Sequence, residues 1–366
     1  MIKKLFFGYL FIWGIGFAIA QQAYYNDVDL TTTGLSLKQA LATKISNTHS
    51  RLLFYTHSSL PDTWDATMAT DFYASNTNQV ILMYGWEAGT DADMTNDISR
   101  DLNLRDNGSS ALFVWNREHV FPKSLANPTL STNDPGPGTD AHNLRPADKQ
   151  RNERRSNKLF ASGTGTASGD VTNGWYPGDQ WKGDVARIIM YMYLRYGDQC
   201  LPTSVGVGSA ANTPDAMIDL FLQWNVEDPV SDLEKTRNSY HENLSNPYAQ
   251  GNRNPFIDNP YLATRIWGGP DAQDIWGIYT ALSVSEVTKA NFSLFPNPVS
   301  GNTVTLRQTT NEQIDEVQIF SITAKKLKTI QNPSNRLDLS DLASGVYLIK
   351  IFSNKTVAYK KLIKTN

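Results

Sequence analysis

The stretch WNREHVFP, residues 115–122, decides how the middle of the chain folds. In and just before it, β-forming side chains favour a strand, namely Leu112, Val114, Val120 and Phe121, and Pro122 ends the run. Adjacent side chains on a strand point to opposite faces, so Glu118 and His119 do not both bind one cation unless the backbone bends. We therefore expect a division of roles, with one side chain on a cation and the other handling a proton.

A second stretch lies at residues 140–157 and reads DAHNLRPADKQRNERRSN. We expect it to be extended at His142 to Leu144 and helical from about Pro146. Asn152 would then lie roughly one and a half turns into that helix. The two stretches together offer a carboxylate (Glu118), an imidazole (His119) and an amide (Asn152) for one active site.

The segment from Arg145 to Lys158 is locally basic. It holds six basic and two acidic residues, a net charge of +4, in a chain whose formal net charge is -3. A charge run alone is usually a solvated helix face, but beside Glu118, His119 and Asn152 a positive patch suits a phosphodiester backbone. The basic residues are Arg145, Lys149, Arg151, Arg154, Arg155 and Lys158.

The chain as a whole has 366 residues, of which 40% are hydrophobic and 19% are charged. That length suits two domains plus processing segments, and that composition predicts buried cores rather than disorder. The net charge excludes a protein that is basic over its whole surface, so a site for polyanions must be a local patch. Cys200 is the one cysteine, so no intramolecular disulfide forms, and we expect a packed thiol.

Residues 1–20 have the pattern of an export signal. Lys3 and Lys4 precede a run of 16 apolar residues, and Ala18-Ile19-Ala20 fits a small-x-small cleavage site. A membrane anchor is the competing interpretation, but the run is shorter than the roughly 20 residues that span a bilayer. We therefore expect cleavage after Ala20 and a soluble mature protein without stable insertion in a membrane.

Residues 21–277 are rich in Trp, Tyr, Asn and Asp and contain helical patterns between long loops. An apolar stripe at helical spacing predicts a helix that Asp184 caps and Gly197 ends. A second helix is expected from Asp215 to Trp224. Such stripes are core far more often than site, so we assign them no catalytic role.

After an expected linker at 278–291 the pattern of apolar and polar residues changes. Residues 292–366 show short alternating segments between turn residues, which predicts a small all-β sandwich. The fold class is therefore α+β. The predicted strands are 303–306, 317–322, 346–352 and 357–363.

Other metal chemistries do not match the sequence. His241-Glu242 lacks the second histidine of a His-Glu-x-x-His zinc motif, and the inverted motif needs a histidine where Trp115 stands. A lone cysteine offers no zinc pair. We expect His241 to be structural, and His49 and His57 to lie at the surface or to be satisfied in a core.

The two central stretches resemble the signature of the bacterial endonuclease I family, which are secreted or periplasmic nucleases with a ββα-metal active site. The resemblance continues at 183–187, 224–230 and 250–260 and covers roughly residues 35–270. It implies a mainly helical nuclease domain that carries a ββα-metal motif. Some members of the family carry several disulfides, whereas this chain forms none.

By motif, Glu118 resembles the family's acidic metal ligand, His119 its general base and Asn152 its other metal ligand. The resemblance implies hydrolysis of phosphodiester bonds in DNA, and sometimes RNA, with little sequence specificity and with 5′-phosphate ends as products. One divalent cation takes part, usually Mg²⁺, with Ca²⁺ or Mn²⁺ as alternatives. We expect four arginines to bind substrate, namely Arg117, Arg151, Arg154 and Arg155, and two residues to support the site from behind, namely His142 and Asn143.

The tail has a resemblance of its own. The sequence NFSLFPNP at 291–298, the segment 339–349 and the basic ending 360–364 look like the C-terminal sorting domain of type IX secretion. This resemblance implies the type IX secretion machinery as a partner and a location outside the cell or on the outer membrane. The alternative is a generic β-sandwich that binds carbohydrate or stabilises the enzyme.

Two functions fit these observations. The first is a secreted endonuclease that acts on nucleic acid. The second is a secreted adhesion or binding protein without enzymatic activity, whose metal site is structural. Structural sites normally close their coordination sphere with more protein ligands than Glu118 and Asn152 supply, which favours the nuclease.

Overall fold

A computed structural model of the chain describes residues 23–73, 76–89, 91–108, 111–279, 292–308, 314–321, 325–353 and 356–365. Contacts divide the chain into two units, Met1–Trp276 and Gly277–Asn366. The expected signal peptide at 1–20 and most of the expected linker at 278–291 lie outside the described residues. In the described ranges, no helix is both long and apolar enough to cross a bilayer.

The first unit combines α-helices with short antiparallel sheets. Strands β1 to β3 form one sheet, while β4 with β5 and β6 with β7 form two-stranded sheets. The elements are α1 Gly34–Thr48, α2 Thr63–Thr70, β1 Phe72–Tyr73, β2 Asn76–Ile81, β3 Ser99–Asp101, β4 Trp115–His119, β5 Leu144–Asp148, α3 Lys149–Arg155, β6 Gly169–Val171, β7 Gly174–Tyr176, α4 Lys182–Tyr196, α5 Asp219–Glu227, α6 Asp232–Glu242, α7 Pro255–Asp258 and α8 Tyr261–Trp267.

Strands β4 and β5 pair antiparallel and lead directly into α3. Glu118 lies opposite Arg145, and His119 lies opposite Leu144. This succession is the ββα arrangement that the resemblance to the endonuclease I family implies. It brings the end of β4 and the exposed side of α3 to one place.

The start of α3 corrects the sequence prediction. The helix begins at Lys149 rather than near Pro146, because Pro146 continues β5 and its carbonyl accepts a 2.8 Å hydrogen bond from the Met83 amide. Asp148 then caps the helix with its side chain. Asn152 is therefore the fourth residue of α3, about one turn from its start.

Helix α4 is the central helix of the first unit. It packs against α1, α5 and α7, and nearly all of its residues are buried. Gly197 ends it as predicted, with a φ of +55° that a glycine adopts without strain. Asp184 does not cap the helix, because it is the third residue of α4 and its carboxylate binds Arg145 of β5.

Helix α5 lies further along the chain than predicted. It spans Asp219–Glu227 instead of starting at Asp215. The Asp215 carboxylate accepts hydrogen bonds from Lys38 at 2.5 Å and from the Met217 amide at 3.1 Å. These bonds hold the preceding backbone in a turn, so the helix begins only after it.

The second unit is the expected small all-β sandwich. Its two antiparallel sheets run in the orders β11-β10-β13-β14 and β12-β9-β8 and share one hydrophobic core. The prediction located β9, β10, β13 and β14 and missed the other three. The described strands are β8 Phe292–Phe295, β9 Thr303–Gln308, β10 Ile314–Ser321, β11 Lys326–Gln331, β12 Arg336–Asp338, β13 Gly345–Ser353 and β14 Thr356–Lys364.

Candidate active site

An open cleft of about 370 Å³ lies where the end of β4 faces α3. Glu118, His119 and Asn152 all line it. The ββα arrangement thus brings together three side chains that are up to 34 positions apart in the sequence. The remaining lining residues are Tyr55, Arg117, Pro122, Lys123, Ser124, Arg155, Ser156 and Asn157.

The Glu118 carboxylate is held deep in the wall of this cleft and is only 3% exposed. Its Oε1 accepts a 2.9 Å hydrogen bond from the Tyr84 hydroxyl and lies 3.4 Å from Nη1 of Arg155. Burial raises the pKa of Glu118 to about 7, although Arg155 and Tyr84 both act to lower it. A buried anion of this kind gains stability from a further positive charge in the cleft.

The His119 imidazole is neutral and has one fixed nitrogen. Its Nε2 lies 2.7 Å from the carbonyl oxygen of Gly138, and its ring stacks on Tyr55 at 5.5 Å. A carbonyl only accepts hydrogen bonds, so Nε2 carries the proton and Nδ1 keeps its lone pair. Burial lowers the pKa of His119 to about 3, so the ring stays unprotonated at neutral pH.

Gly138 is a site residue that the sequence interpretation missed. The Pro-Gly segment 133–138 begins as the predicted loop but ends in a 3-10 turn, Pro137–Thr139, in which Gly138 supplies the carbonyl that orients His119. A side chain does not fit there, because a Cβ on Gly138 would lie 2.0 Å from the Ser131 carbonyl oxygen. Nothing in the local sequence distinguishes this glycine from Gly136, which has open space around it.

Asn152 presents its amide to the same cleft. Its Nδ2 donates a 2.7 Å hydrogen bond to Oδ1 of Asn116, which fixes the side chain. Because this bond uses the amide nitrogen, the carbonyl oxygen Oδ1 is the atom that can serve a cation. Glu118 and Asn152 thus offer one carboxylate and one amide oxygen.

Of the two residues expected to support the site, Asn143 lies beside it and His142 does not. Asn143 clamps the chain after β4, since its Oδ1 accepts from the Phe121 amide at 2.7 Å and its Nδ2 donates to the Phe121 carbonyl at 3.2 Å. His142 does not reach the cleft. Its Nε2 lies 3.3 Å from the Asn252 carbonyl, and its ring packs against Tyr191 and His241 in the core.

The structure brings two of the four expected substrate-binding arginines to the cleft. Arg117 and Arg155 line the cleft, whereas Arg151 and Arg154 do not. The Arg151 guanidinium is buried and donates to the carbonyls of Thr95 and Ser168. Arg154 is exposed but forms an ion pair with Asp170 at 2.9 Å.

The rest of the basic run is also committed within the protein. Arg145 is buried between Asp71 and Asp184, at 2.6 and 2.8 Å. Lys149 pairs with Asp106, and Lys158 pairs with Asp170. Most of the cations in this run are therefore bonded to other groups of the protein.

Lys123 is a cation that the sequence interpretation overlooked. It lies on the cleft directly after Pro122, and its side chain is exposed. Within the described residues its ammonium forms no ion pair, and Nζ lies 5.9 Å from the centroid of the Tyr55 ring. It is thus the lysine available to a phosphate in the cleft.

The other histidines lie apart from the cleft. His241 is fully buried, in agreement with a structural role, and His49 lies 3.8 Å from Asp140 in the same polar cluster. His57 accepts hydrogen bonds at Nδ1 from the backbone amides of its own loop. Over the described residues, no three His, Cys, Asp or Glu side chains are grouped to hold a metal ion. Cys200 is buried, as expected.

Comparison with known proteins matches both units. Residues 33–261 match the family described as Endonuclease I, and residues 293–365 match the family described as Secretion system C-terminal sorting domain. A relative from Bacillus subtilis (strain 168), named extracellular ribonuclease, is 40% identical over 260 residues, which are 68% of this chain and 82% of the relative.

A second relative has the same name and comes from Bacillus amyloliquefaciens. It is 38% identical over 257 residues, 67% of this chain and 78% of the relative. A solved structure of PorZ, a surface component of the type IX secretion system of Porphyromonas gingivalis, aligns with 23% of this chain and 13% of its own length at 19% identity. Its TM-score of 0.18 is too low to bear on fold or function.

Proposed function

This chain belongs to the endonuclease I family, and from that premise we propose that it is an exported endonuclease that hydrolyses DNA, and RNA as well, with one divalent cation. His119 is the general base, Glu118 and Asn152 are the metal ligands, and the products carry 5′-phosphate ends. The observation that carries the proposal is the neutral His119, fixed at Nε2 by Gly138, in one cleft with Glu118 and Asn152.

The relatives support the nuclease part of this proposal. Both are named extracellular ribonucleases, and this chain aligns with about four fifths of their length. The sorting-domain match at 293–365 supports export to the medium or the cell surface through the type IX secretion machinery. An N-terminal signal at 1–20 remains a prediction from the sequence.

The residues of the cleft suit a hard cation. Mg²⁺ prefers oxygen ligands and retains several waters, so one carboxylate and one amide oxygen in an open cleft fit its chemistry. The Glu118 carboxylate, whose pKa burial raises, is stabilised as an anion when positive charge is beside it. A bound cation would supply charge stabilisation for the phosphate in the transition state.

His119 provides the proton transfer. Nδ1 accepts a proton from the attacking water, while Nε2 keeps its hydrogen bond to Gly138. The water oxygen bonds to phosphorus and the bond from phosphorus to the 3′-oxygen breaks. The leaving 3′-oxygen takes a proton from solvent and becomes a 3′-hydroxyl, while the phosphate stays on the 5′ side. This route does not use the 2′-hydroxyl, so both DNA and RNA are chemically competent substrates.

Digestion with the full chain tests the proposal. Plasmid DNA and a structureless RNA are incubated with Mg²⁺, with EDTA, and with EDTA followed by excess Mg²⁺. We expect cutting only where Mg²⁺ is available. Glu118→Gln should raise the Mg²⁺ concentration for half-maximal activity about 10-fold or more, whereas Asp170→Asn, which removes an exposed carboxylate outside the cleft, should leave it unchanged. Full activity in EDTA would refute the metal assignment.

A further inference from the structure

We propose that a second cavity beside the cleft binds one unpaired base of the substrate, which makes single-stranded nucleic acid the preferred substrate. The inference rests on the proposed nuclease function and concerns how that site selects its substrate. The cavity measures about 760 Å³, twice the cleft, and Arg117 lines both. Its size lies within the range of about 300–1,000 Å³ typical of small-molecule sites.

A continuous stack of flat groups connects the two spaces. It starts at His119, whose ring stacks on Tyr55 at 5.5 Å. The Arg117 guanidinium lies 3.6 Å from the centroid of Tyr55 and 3.9 Å from that of Trp64, so it is sandwiched between the rings. Trp64 is half-buried and lines the second cavity. A strand whose phosphate occupies the cleft therefore passes Arg117 and reaches an aromatic platform.

The Arg117 side chain is held in place between the cleft and the second cavity. Its guanidinium donates to the Tyr55 carbonyl and to the hydroxyls of Thr56 and Thr63. These bonds hold it in place without substrate, so its position against Trp64 is set in advance. Binding to such a preorganised surface costs little ordering entropy.

The charge of the second cavity favours a base over a phosphate. Three carboxylates, Asp62, Asp65 and Asp106, line it against two guanidinium groups, so the cavity is not a cationic site of the kind a phosphate requires. A base carries no net charge at neutral pH, and its edge can bond to the Asp65 carboxylate or to the exposed hydroxyls of Ser58 and Ser59.

The remaining cation of the cavity also suits this occupant. Arg105 is exposed, lies 5.9 Å from the Trp64 ring centroid, and forms no ion pair with the described residues. An exposed guanidinium can move to admit a base and then cover its outer face. Stacking between arginine, base and tryptophan is a common way to hold an unpaired base.

A base inside a duplex cannot reach a concave pocket without leaving its stack. Opening a pair costs free energy, and single strands avoid that cost. The cavity therefore selects against intact duplex, while the cleft itself recognises only the backbone. Sequence preference stays weak because every base has a face that can stack.

The test uses single-stranded oligonucleotides with one cleavable linkage, carrying natural bases or an abasic residue on either side of it. We expect the natural enzyme to lose about 10-fold or more in kcat/KM when the base on one side is missing. Trp64→Ala should lose a similar factor on the intact oligonucleotide and little more on the abasic one. Trp64→Phe should retain most of the base effect, and Lys235→Ala, on the exposed side of α6, should retain all of it.

Two outcomes separate this inference from the proposed function. If no oligonucleotide is cut in Mg²⁺, the nuclease function itself fails. If the natural enzyme cuts intact and abasic substrates equally, only the base pocket fails, and this comparison requires no variant that has to fold. The base effect should appear in DNA and RNA versions alike; a base effect confined to RNA would overturn the assignment to Trp64.

Discussion

The Nε2 nitrogen of His119 lies 2.7 Å from the carbonyl oxygen of Gly138, which fixes both the tautomer and the orientation of the imidazole. The bond leaves Nδ1 as the basic nitrogen. Burial lowers the pKa of His119 to about 3, so the ring is neutral at neutral pH and can accept a proton there. A loop that contributes no side chain to the cleft therefore defines which nitrogen of His119 can accept a proton.

Removing this imidazole should abolish most of the activity. We expect His119→Ala to lower kcat about 10²-fold or more, because general-base catalysis contributes about 10²–10⁴-fold. Cleavage of plasmid DNA at saturating Mg²⁺ measures the effect. Circular dichroism should give an unchanged fold, and the Mg²⁺ affinity should stay near that of the natural protein. Cleavage at the natural rate would contradict the assignment.

The cations around the cleft should differ sharply in their effect on substrate binding. Lys123→Ala should raise KM for DNA about 5- to 10-fold, because the charge faces the cleft without a carboxylate partner. It should also reduce the slope of log KM against log salt by about 0.7–0.9, the contribution of one phosphate contact. Arg154→Ala should change KM less than twofold, because that guanidinium binds Asp170. Equal effects of the two variants would show that cleft position does not matter.

Arg145 should be a determinant of stability. Arg145→Met leaves Asp71 and Asp184 buried without their shared cation and should cost about 3–5 kcal/mol in the free energy of unfolding. Urea unfolding followed by tryptophan fluorescence measures it, since every tryptophan precedes residue 277 and reports on the first unit. Lys235→Met, which removes an exposed pair with Asp232, should cost less than about 1 kcal/mol.

Acid should destabilise the first unit through its buried histidines. Burial lowers the pKa of His49, His142 and His241, and Asp140, Arg195 and Arg237 are the charged groups that face them. Below about pH 6.5 the unfolded chain therefore binds more protons than the folded one, and stability falls as the pH falls.

The contribution of one histidine to this loss of stability can be measured with a variant of His241. A histidine that remains neutral in the fold costs about 2 kcal/mol at pH 5 relative to neutral pH. Urea unfolding at pH 7.5, 6 and 5 should show the decline, and His241→Phe should show a shallower one. A variant that loses stability as steeply as the natural protein would rule out His241 as a source.

Local patterns in the sequence predict the strand β4, the helix α4 and the alternating strands of the second unit, because these depend on side-chain periodicity. At Pro146 the local pattern no longer predicts the structure. Its strand conformation depends on a hydrogen bond to Met83, far away in the sequence. The boundary of α3 was therefore wrong by three residues, while its existence was right.

The candidate site shows the same division. The central motifs identify Glu118, His119 and Asn152, which the fold brings to one cleft. The arginines differ, because a charge count in the sequence does not reveal the acids that neutralise them. Arg145 meets Asp71 and Asp184, which lie far from it in the sequence. Lys123 and Gly138 belong to the site through spatial position alone.

The close packing of Gly138 against Ser131 determines which positions of its loop tolerate substitution. Residue 136 faces open space and has extended backbone, so it tolerates replacement by many amino acids. Residue 138 tolerates none, since any side chain pushes against Ser131 and displaces the carbonyl that orients the histidine. In a saturation library over this loop, residue 136 would therefore accept many substitutions and residue 138 almost none. A selection for activity would then show residue 138 to be as intolerant of substitution as a catalytic residue.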